Sequence, residues 1–211
     1  MNNTVIDELS ANDPIAQSVD WSPIKRSGNN YRTRELIERS QGRLEYKPAI
    51  VAKVITWAIL LQSAPFFMGT IALVIIGRMS IGDAIAPFLF SGGATVLGYY
   101  MWSVMCAPIV FDAEREMYWR GGSDARSSKT SIRFDDIHAI QLVSKRVLRT
   151  KHYRGNIRHR QRFNSVELNL VLSDGRRVNV LNHSKIGMIK SEAATLGALI
   201  GVPVWDATAA N

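Results

Sequence analysis

Eight basic residues and no acidic one fall between Lys145 and Arg162: Lys145, Arg146, Arg149, Lys151, Arg154, Arg158, Arg160 and Arg162. Such a block is built to meet fixed negative charge. Near an anionic cytoplasmic leaflet each Lys or Arg contributes about 1 kcal/mol, decaying within a Debye length. The block lies between two expected strands, so it forms a long loop or an extended hairpin tip. Arg158, Arg160 and Arg162 share parity with Val166 and Leu168, and a strand continuing backward would set their guanidinium groups on one face. The expected targets are an anionic membrane surface or an acidic partner. A solvated loop that only keeps the domain soluble is the competing reading. Tyr153 and Phe163 could stack on bases, but no recognised nucleic-acid module surrounds them, which disfavours RNA or DNA.

No catalytic constellation emerges. His138, His152, His159 and His183 are too scattered for a metal site. Asp135 and Asp136 are adjacent, so on a strand they would point to opposite faces, and a turn or cap role fits them better. Cys106, the single cysteine, has no histidine nearby to activate it. Gly92-Gly93 and Gly121-Gly122 match no phosphate-binding fingerprint. The expectation is a protein that is not an enzyme and carries no cofactor or metal.

The chain has 211 residues, 26 Lys+Arg against 18 Asp+Glu, and a mean hydropathy near zero. That average conceals a segregation. The apolar residues concentrate between Val54 and Val110, with the charges almost wholly outside. Whole-chain disorder, collagen-like composition and a disulfide scaffold are excluded. Val54 to Ile76 gives 23 residues without a charge and Ala84 to Val110 gives 27. At 1.5 Å per residue either crosses a hydrocarbon core of roughly 30 Å. Transmembrane helices are therefore expected at 54–76 and 84–108. The link Gly77 to Asp83 makes them an antiparallel hairpin. Arg78 is the one basic residue in the link, whereas Arg32, Arg34, Arg39, Arg43, Lys47 and Lys53 precede the first span and Arg115 and Arg120 follow the second. This asymmetry puts both termini in the cytoplasm. Trp57, Tyr99, Tyr100 and Trp102 would anchor at that interface. Neither run holds an Asp, Glu, Lys, Arg or His, which argues against a transporter or channel. Pro65 is expected to kink the first helix. In the second, Gly92, Gly93, Ala94 and Gly98 form a small-residue stripe for packing inside the hairpin or docking another membrane protein.

Outside the spans, residues 1–30 read as a disordered tail, and 31–53 as a basic juxtamembrane segment with one short helix between Tyr31 and Arg43. A cytoplasmic domain follows at 109–206, with a short tail at 207–211. Strands are expected at Ile109–Asp112, Glu116–Arg120, Ser131–Phe134, Ile137–Val143, Ser165–Leu172 and Arg177–Leu181. Val166, Leu168, Leu170 and Leu172 would be core, with Glu167 and Asn169 on the opposite face. At Ser173-Asp174-Gly175, a three-residue loop with Gly175 left-handed opposes Leu170 to Val178 and Leu168 to Val180, uniting the apolar sets. Ser184 is expected to cap a final helix carrying Ile186, Ile189, Ala193, Leu196 and Ile200, stopped by Gly201 and Pro203. The fold class is thus a transmembrane helical hairpin plus an α+β domain, a small antiparallel sheet closed by a C-terminal helix.

The phrase from Ser131 to Ile137, followed by a hydrophobic strand, a hairpin and an amphipathic terminal helix, resembles the bacterial pleckstrin-homology-like domain. The order of two spans, then a domain ending in a helix and the Val202–Trp205 tail, is similar also to the two-span photosystem I assembly factor. The resemblance covers about residues 54–206. It implies a scaffold or assembly/regulatory protein of a bacterial inner membrane that contacts the bilayer surface or another membrane protein. The alternative is a membrane-tethered binder or sensor of an anionic lipid headgroup or small ligand.

Overall fold

In the computed structural model, which describes residues 12–25, 34–152 and 158–208, charge-free sequence and alternating sequence occupy different parts of the molecule. Two compact units result. One is Lys47–Pro108. The other joins the chain up to Tyr46 with the chain from Ile109 onward.

The elements in order are α1 (Pro14–Ser18), β1 (Arg34–Ser40), β2 (Arg43–Pro48), α2 (Ile50–Ile75), α3 (Ile81–Met105), β3 (Ile109–Asp112), β4 (Met117–Arg120), β5 (Thr130–Arg133), a 3-10 turn (Phe134–Asp136), β6 (Ile137–His152), β7 (Arg158–Leu172), β8 (Arg177–His183), α4 (Ile186–Ile200) and β9 (Val204–Ala207).

The helical unit is α2 and α3. At 1.5 Å per residue they are about 39 and 37 Å long. Both are long and apolar enough to cross a membrane. They start earlier than the charge-free runs suggest, and α3 ends at Met105 rather than 108. Ser80 explains the early start of α3: its hydroxyl accepts the Asp83 N–H and donates to the Asp83 carboxylate, drawing the expected link into the first turn. Pro65 removes one hydrogen-bond donor, yet α2 runs through it unbroken. The seam between the helices repeats every seven residues. Thr56, Ser63 and Thr70 are buried on α2, and Ala84, Ser91 and Gly98 on α3. This spacing keeps one narrow stripe facing its partner. The Thr95 hydroxyl donates across it to Ser63 at 3.1 Å.

The β unit has two sheets. One runs β1-β2-β3-β4-β5 and the other β8-β7-β6-β9. Leu44, Tyr46, Ile109, Phe111, Tyr118 and Ile132 of the first pack with Ile140, Leu142, Val166, Leu168 and Leu170 of the second, and Ile189, Ala193 and Leu196 of α4 complete the core. The Tyr46 hydroxyl donates to the buried Glu192 carboxylate at 3.1 Å, tying α4 to the first sheet. Gly201, left-handed at φ 82°, ends α4, and its N–H and that of Val202 both reach the Gly197 carbonyl.

Several expectations are corrected. The segment read as a helix between Tyr31 and Arg43 is strand where described: β1 turns at Gln41-Gly42 into β2, which pairs with β3 from Arg43↔Asp112 to Tyr46↔Ile109. A tertiary partner overrides the local helical preference. The sheet is two sheets, and one contact is parallel, β9 on β6. The turn Ser173-Asp174-Gly175 has Gly175 at φ 79° and opposes Leu170 to Val178 as expected. A bulge after Leu168 then pairs that residue with Leu181 instead of Val180, which lets Val180 and Leu181 both be buried. Ser184 does not cap α4. The cap position is Lys185, whose N–H donates to His183 Nδ1.

The largest correction concerns the expected N-terminal tail. Asp13 caps α1 and accepts the N–H groups of Ile15 and Ala16, with Pro14 at the first helical position. Ala16 and Val19 are buried with Ala139, Val171 and Trp205 in a second cluster on the outer face of the second sheet, against which Ile15 and Trp21 pack. Residues 1–11 and 26–33 lie outside the described residues.

Candidate anionic-surface interface

β6 and β7 stay paired far beyond the core, from Lys145↔Ser165 out to His152↔Arg158. The basic block is therefore the end of an extended hairpin, one of the two forms its position allowed. Register sorts the block by parity. Arg146 opposes Asn164, Leu148 opposes Arg162, Thr150 opposes Arg160, and His152 opposes Arg158. These positions continue the parity of Leu142, Val166 and Leu168, the core-facing set. Arg149 and Lys151 occupy the other parity, opposite Gln161 and His159. Thus one end of the ladder is filled by apolar residues, and at the other four of the eight positions of the same parity are arginines: Arg146, Arg158, Arg160 and Arg162. Arg154 lies outside the described residues, and Arg146 is exposed.

Lys145 does not belong to this set. Its side chain is 7% exposed and its ammonium donates to Glu167, which is fully buried, and to the carbonyl of Lys25. A charge held this way is spent inside the fold and cannot meet a surface. Glu167, on the face opposite the leucines as expected, also accepts the backbone N–H groups of Ile24 at 2.8 Å and Lys25 at 3.0 Å. The outer face of the second sheet is thus a receptor for the chain's own residues 12–25. Arg177 donates to the Ser22 carbonyl at 2.7 Å and pairs with Asp20 at 2.9 Å. Gln141 donates to the Asp20 carbonyl, Trp21 rests 5.9 Å from Trp205, and His138 meets Asp13 at 2.7 Å.

The strap's carboxyls are tuned by these contacts. Burial pushes Asp13 up, but the hydrogen bonds from His138, Ile15 and Ala16 outweigh it and hold the group below its ordinary range. Asp20 is lowered by hydrogen bonds from Ser22, with Arg177 adding to them. Partial burial lowers Lys25, and Arg120 nearby adds to the effect. In the core, burial raises the Tyr118 phenol to about 12.

Sequence reasoning missed this receptor because Glu167 and Asn169 alternate with leucines, the pattern of a solvated face. Asp13-Pro14, a helix-start signal followed by Ile15, Ala16 and Val19, is the clue that could have found the strap.

The small-residue stripe of α3 is divided as well. A Cβ on Gly98 would come within 3.0 Å of Ile59 and Leu60, and one on Gly92 within 3.0 Å of Phe67, so both stand at the helix contact. Gly93 has nothing within 4 Å. Ala94 lines a groove beside the contact with Ile59 and Gln62. Gly93 is two residues from the seam residue Ser91, about 200° around the helix, which is why it points away.

Among the described residues no group of three His, Cys, Asp or Glu could hold a metal. A smaller pocket at the β7–β8 turn is edged by Asp136, Asp174 and Arg176, with Arg176 already paired to Asp174. No protein family, curated protein or solved structure matches this chain.

Proposed function

We propose that this chain is an integral membrane scaffold or assembly protein of a bacterial inner membrane. Its helical hairpin spans the bilayer, both flanks are cytoplasmic, and its β unit works as a pleckstrin-homology-like module. The module seats its basic hairpin on the anionic leaflet and so holds a fixed face toward a protein partner. Two sheets sharing one core and a C-terminal helix support the module reading. The observation that carries the function is the β6–β7 ladder. It continues past the core as paired strands that hold Arg146, Arg158, Arg160 and Arg162 at positions of one parity, so these positions belong to paired backbone rather than to an unpaired loop.

The test uses the full chain with Cys106→Ser and Asn164→Cys, labelled at the new cysteine with an environment-sensitive fluorophore and reconstituted in vesicles. Asn164 is exposed and opposes Arg146 on the arm. Blue-shifted emission is expected in vesicles containing anionic lipid, not in neutral ones, and salt should reverse it. Replacing Arg158, Arg160 and Arg162 by Ser removes about 3 kcal/mol at about 1 kcal/mol each, roughly a hundredfold in the contact equilibrium. Emission that ignores lipid charge and salt would overturn the reading.

A further inference from the structure

We propose that the helical hairpin pairs with a second copy of this chain through Gln62. The pairing rests on the membrane-spanning reading, which leaves two polar groups of α2 unsatisfied. Thr70, Ser91 and Thr95 each donate a hydrogen bond within the hairpin, and Ser63 accepts one. Gln62 is exposed and makes no hydrogen bond among the described residues. It lies nine residues from Lys53 in the candidate span Lys53–Ile75, about 14 Å along the axis and near mid-depth.

A second unsatisfied group sits beside it. Pro65 has no N–H, so the carbonyl of Leu61 lacks its donor one turn on. Hydrocarbon offers neither group a water, and polar groups there must find partners in protein.

The chemistry selects the occupant. A primary amide carries donor and acceptor together, so across a two-fold axis Gln62 satisfies Gln62, each Nε2 donating to the other Oε1 or to the Leu61 carbonyl. No residue of another protein has to be invoked. The groove beside Gln62, about 510 Å³, contains no ionisable residue, so a charged partner helix would gain no counterion there. Phe66 and Phe90 border it, 70% and 82% exposed, and provide the side chains that would fill the groove of the opposite copy.

The experiment uses the full chain labelled on Cys106, the single cysteine, with donor or acceptor fluorophores and reconstituted in neutral phosphatidylcholine vesicles over a range of protein-to-lipid ratios. Energy transfer above the level for randomly placed molecules is expected, rising to saturation. Gln62→Leu should move the midpoint to roughly tenfold higher density, the scale of two interhelical hydrogen bonds, and Gln62→Asn should recover part of it. Gln62 is exposed and bonds nothing in the hairpin, so the leucine variant removes no hydrogen bond within it. Transfer at the random level, or an unshifted midpoint for Gln62→Leu, overturns the pairing while the spanning reading stands. Flotation after an alkaline wash is run on the same samples. Protein that fails to float overturns the spanning reading and this proposal with it.

Discussion

Replacing Glu167 by Gln removes one charge from a site where three donors converge. The carboxylate accepts from Ile24 N–H, Lys25 N–H and the Lys145 ammonium. An amide of the same shape offers one oxygen and turns its NH2 against donors that cannot accept. It also leaves an ammonium that is 7% exposed without its counterion. Breaking a buried ion pair from one side costs about 3–5 kcal/mol. The strap, however, is free to peel away and admit water to Lys145, so global stability cannot fall by more than the strap's own docking energy. The loss should therefore appear locally. Hydrogen exchange read by mass spectrometry on the detergent-solubilised full chain should show protection at Ile24 and Lys25 falling by roughly a hundredfold or more, from about 3 kcal/mol. Core amides of Leu168 and Leu170 should change far less. Lys145→Met should loosen the strap less than Glu167→Gln, because both backbone donors keep their carboxylate. It should also leave contact with anionic vesicles intact. Unchanged exchange at Ile24 and Lys25 in Glu167→Gln would refute the receptor argument. A loss of vesicle contact in Lys145→Met equal to that of Arg160→Ser would refute the separation of Lys145 from the arm.

Two further outcomes follow from the same geometry. Gly197→Ala should destabilise the β unit by about 1–3 kcal/mol, since the new Cβ would sit 2.9 Å from Val204 and 3.0 Å from the Val202 carbonyl; a thermal melt of the full chain in detergent reads it. Acid should release the strap before it melts the core. Asp13 and Asp20 have lowered folded values, so their contribution is complete above the ordinary carboxylate range and is lost as pH falls from that range through the lower folded values, and exchange of residues 13–25 should accelerate below about pH 4 while β6 and β7 stay protected.

The helical pair was legible because a charge-free apolar run of that length is rare outside a bilayer, though its ends were not. Ile50 to Lys53 join α2 before the charge-free run begins, because helix propagation follows backbone bonding rather than hydropathy. The Leu170↔Val178 register was legible because Gly175 supplies the conformation its turn needs. The bulge one step further was not, since Val180 and Leu181 break strict alternation and only the surrounding core decides that both go inside. β1 and β2 were missed because the strand that anchors their hairpin in the sheet, β3 beside β2, lies beyond the whole helical unit. For the basic block, β7 extends back to Arg158, so Arg158, Arg160 and Arg162 occupy register positions of one parity, but nothing local marks Lys145 as the member bound to a carboxylate. What covers Glu167 comes from 143 positions upstream, a distance over which sequence pattern carries no signal.

The placement of α2 and α3 between two neighbouring strands bears on how the molecule is made. β2 emerges from the ribosome with its bonding edge open, and its mate β3 arrives only after both helices have been delivered to their destination. The strap waits longer still, for β6, β7 and β8 to exist before it has anywhere to dock. Closure is thereby ordered by synthesis: the seam at Tyr46 and Ile109 can form only after both helices have been made, so a chain stalled midway would keep a naked strand that quality-control proteases could recognise.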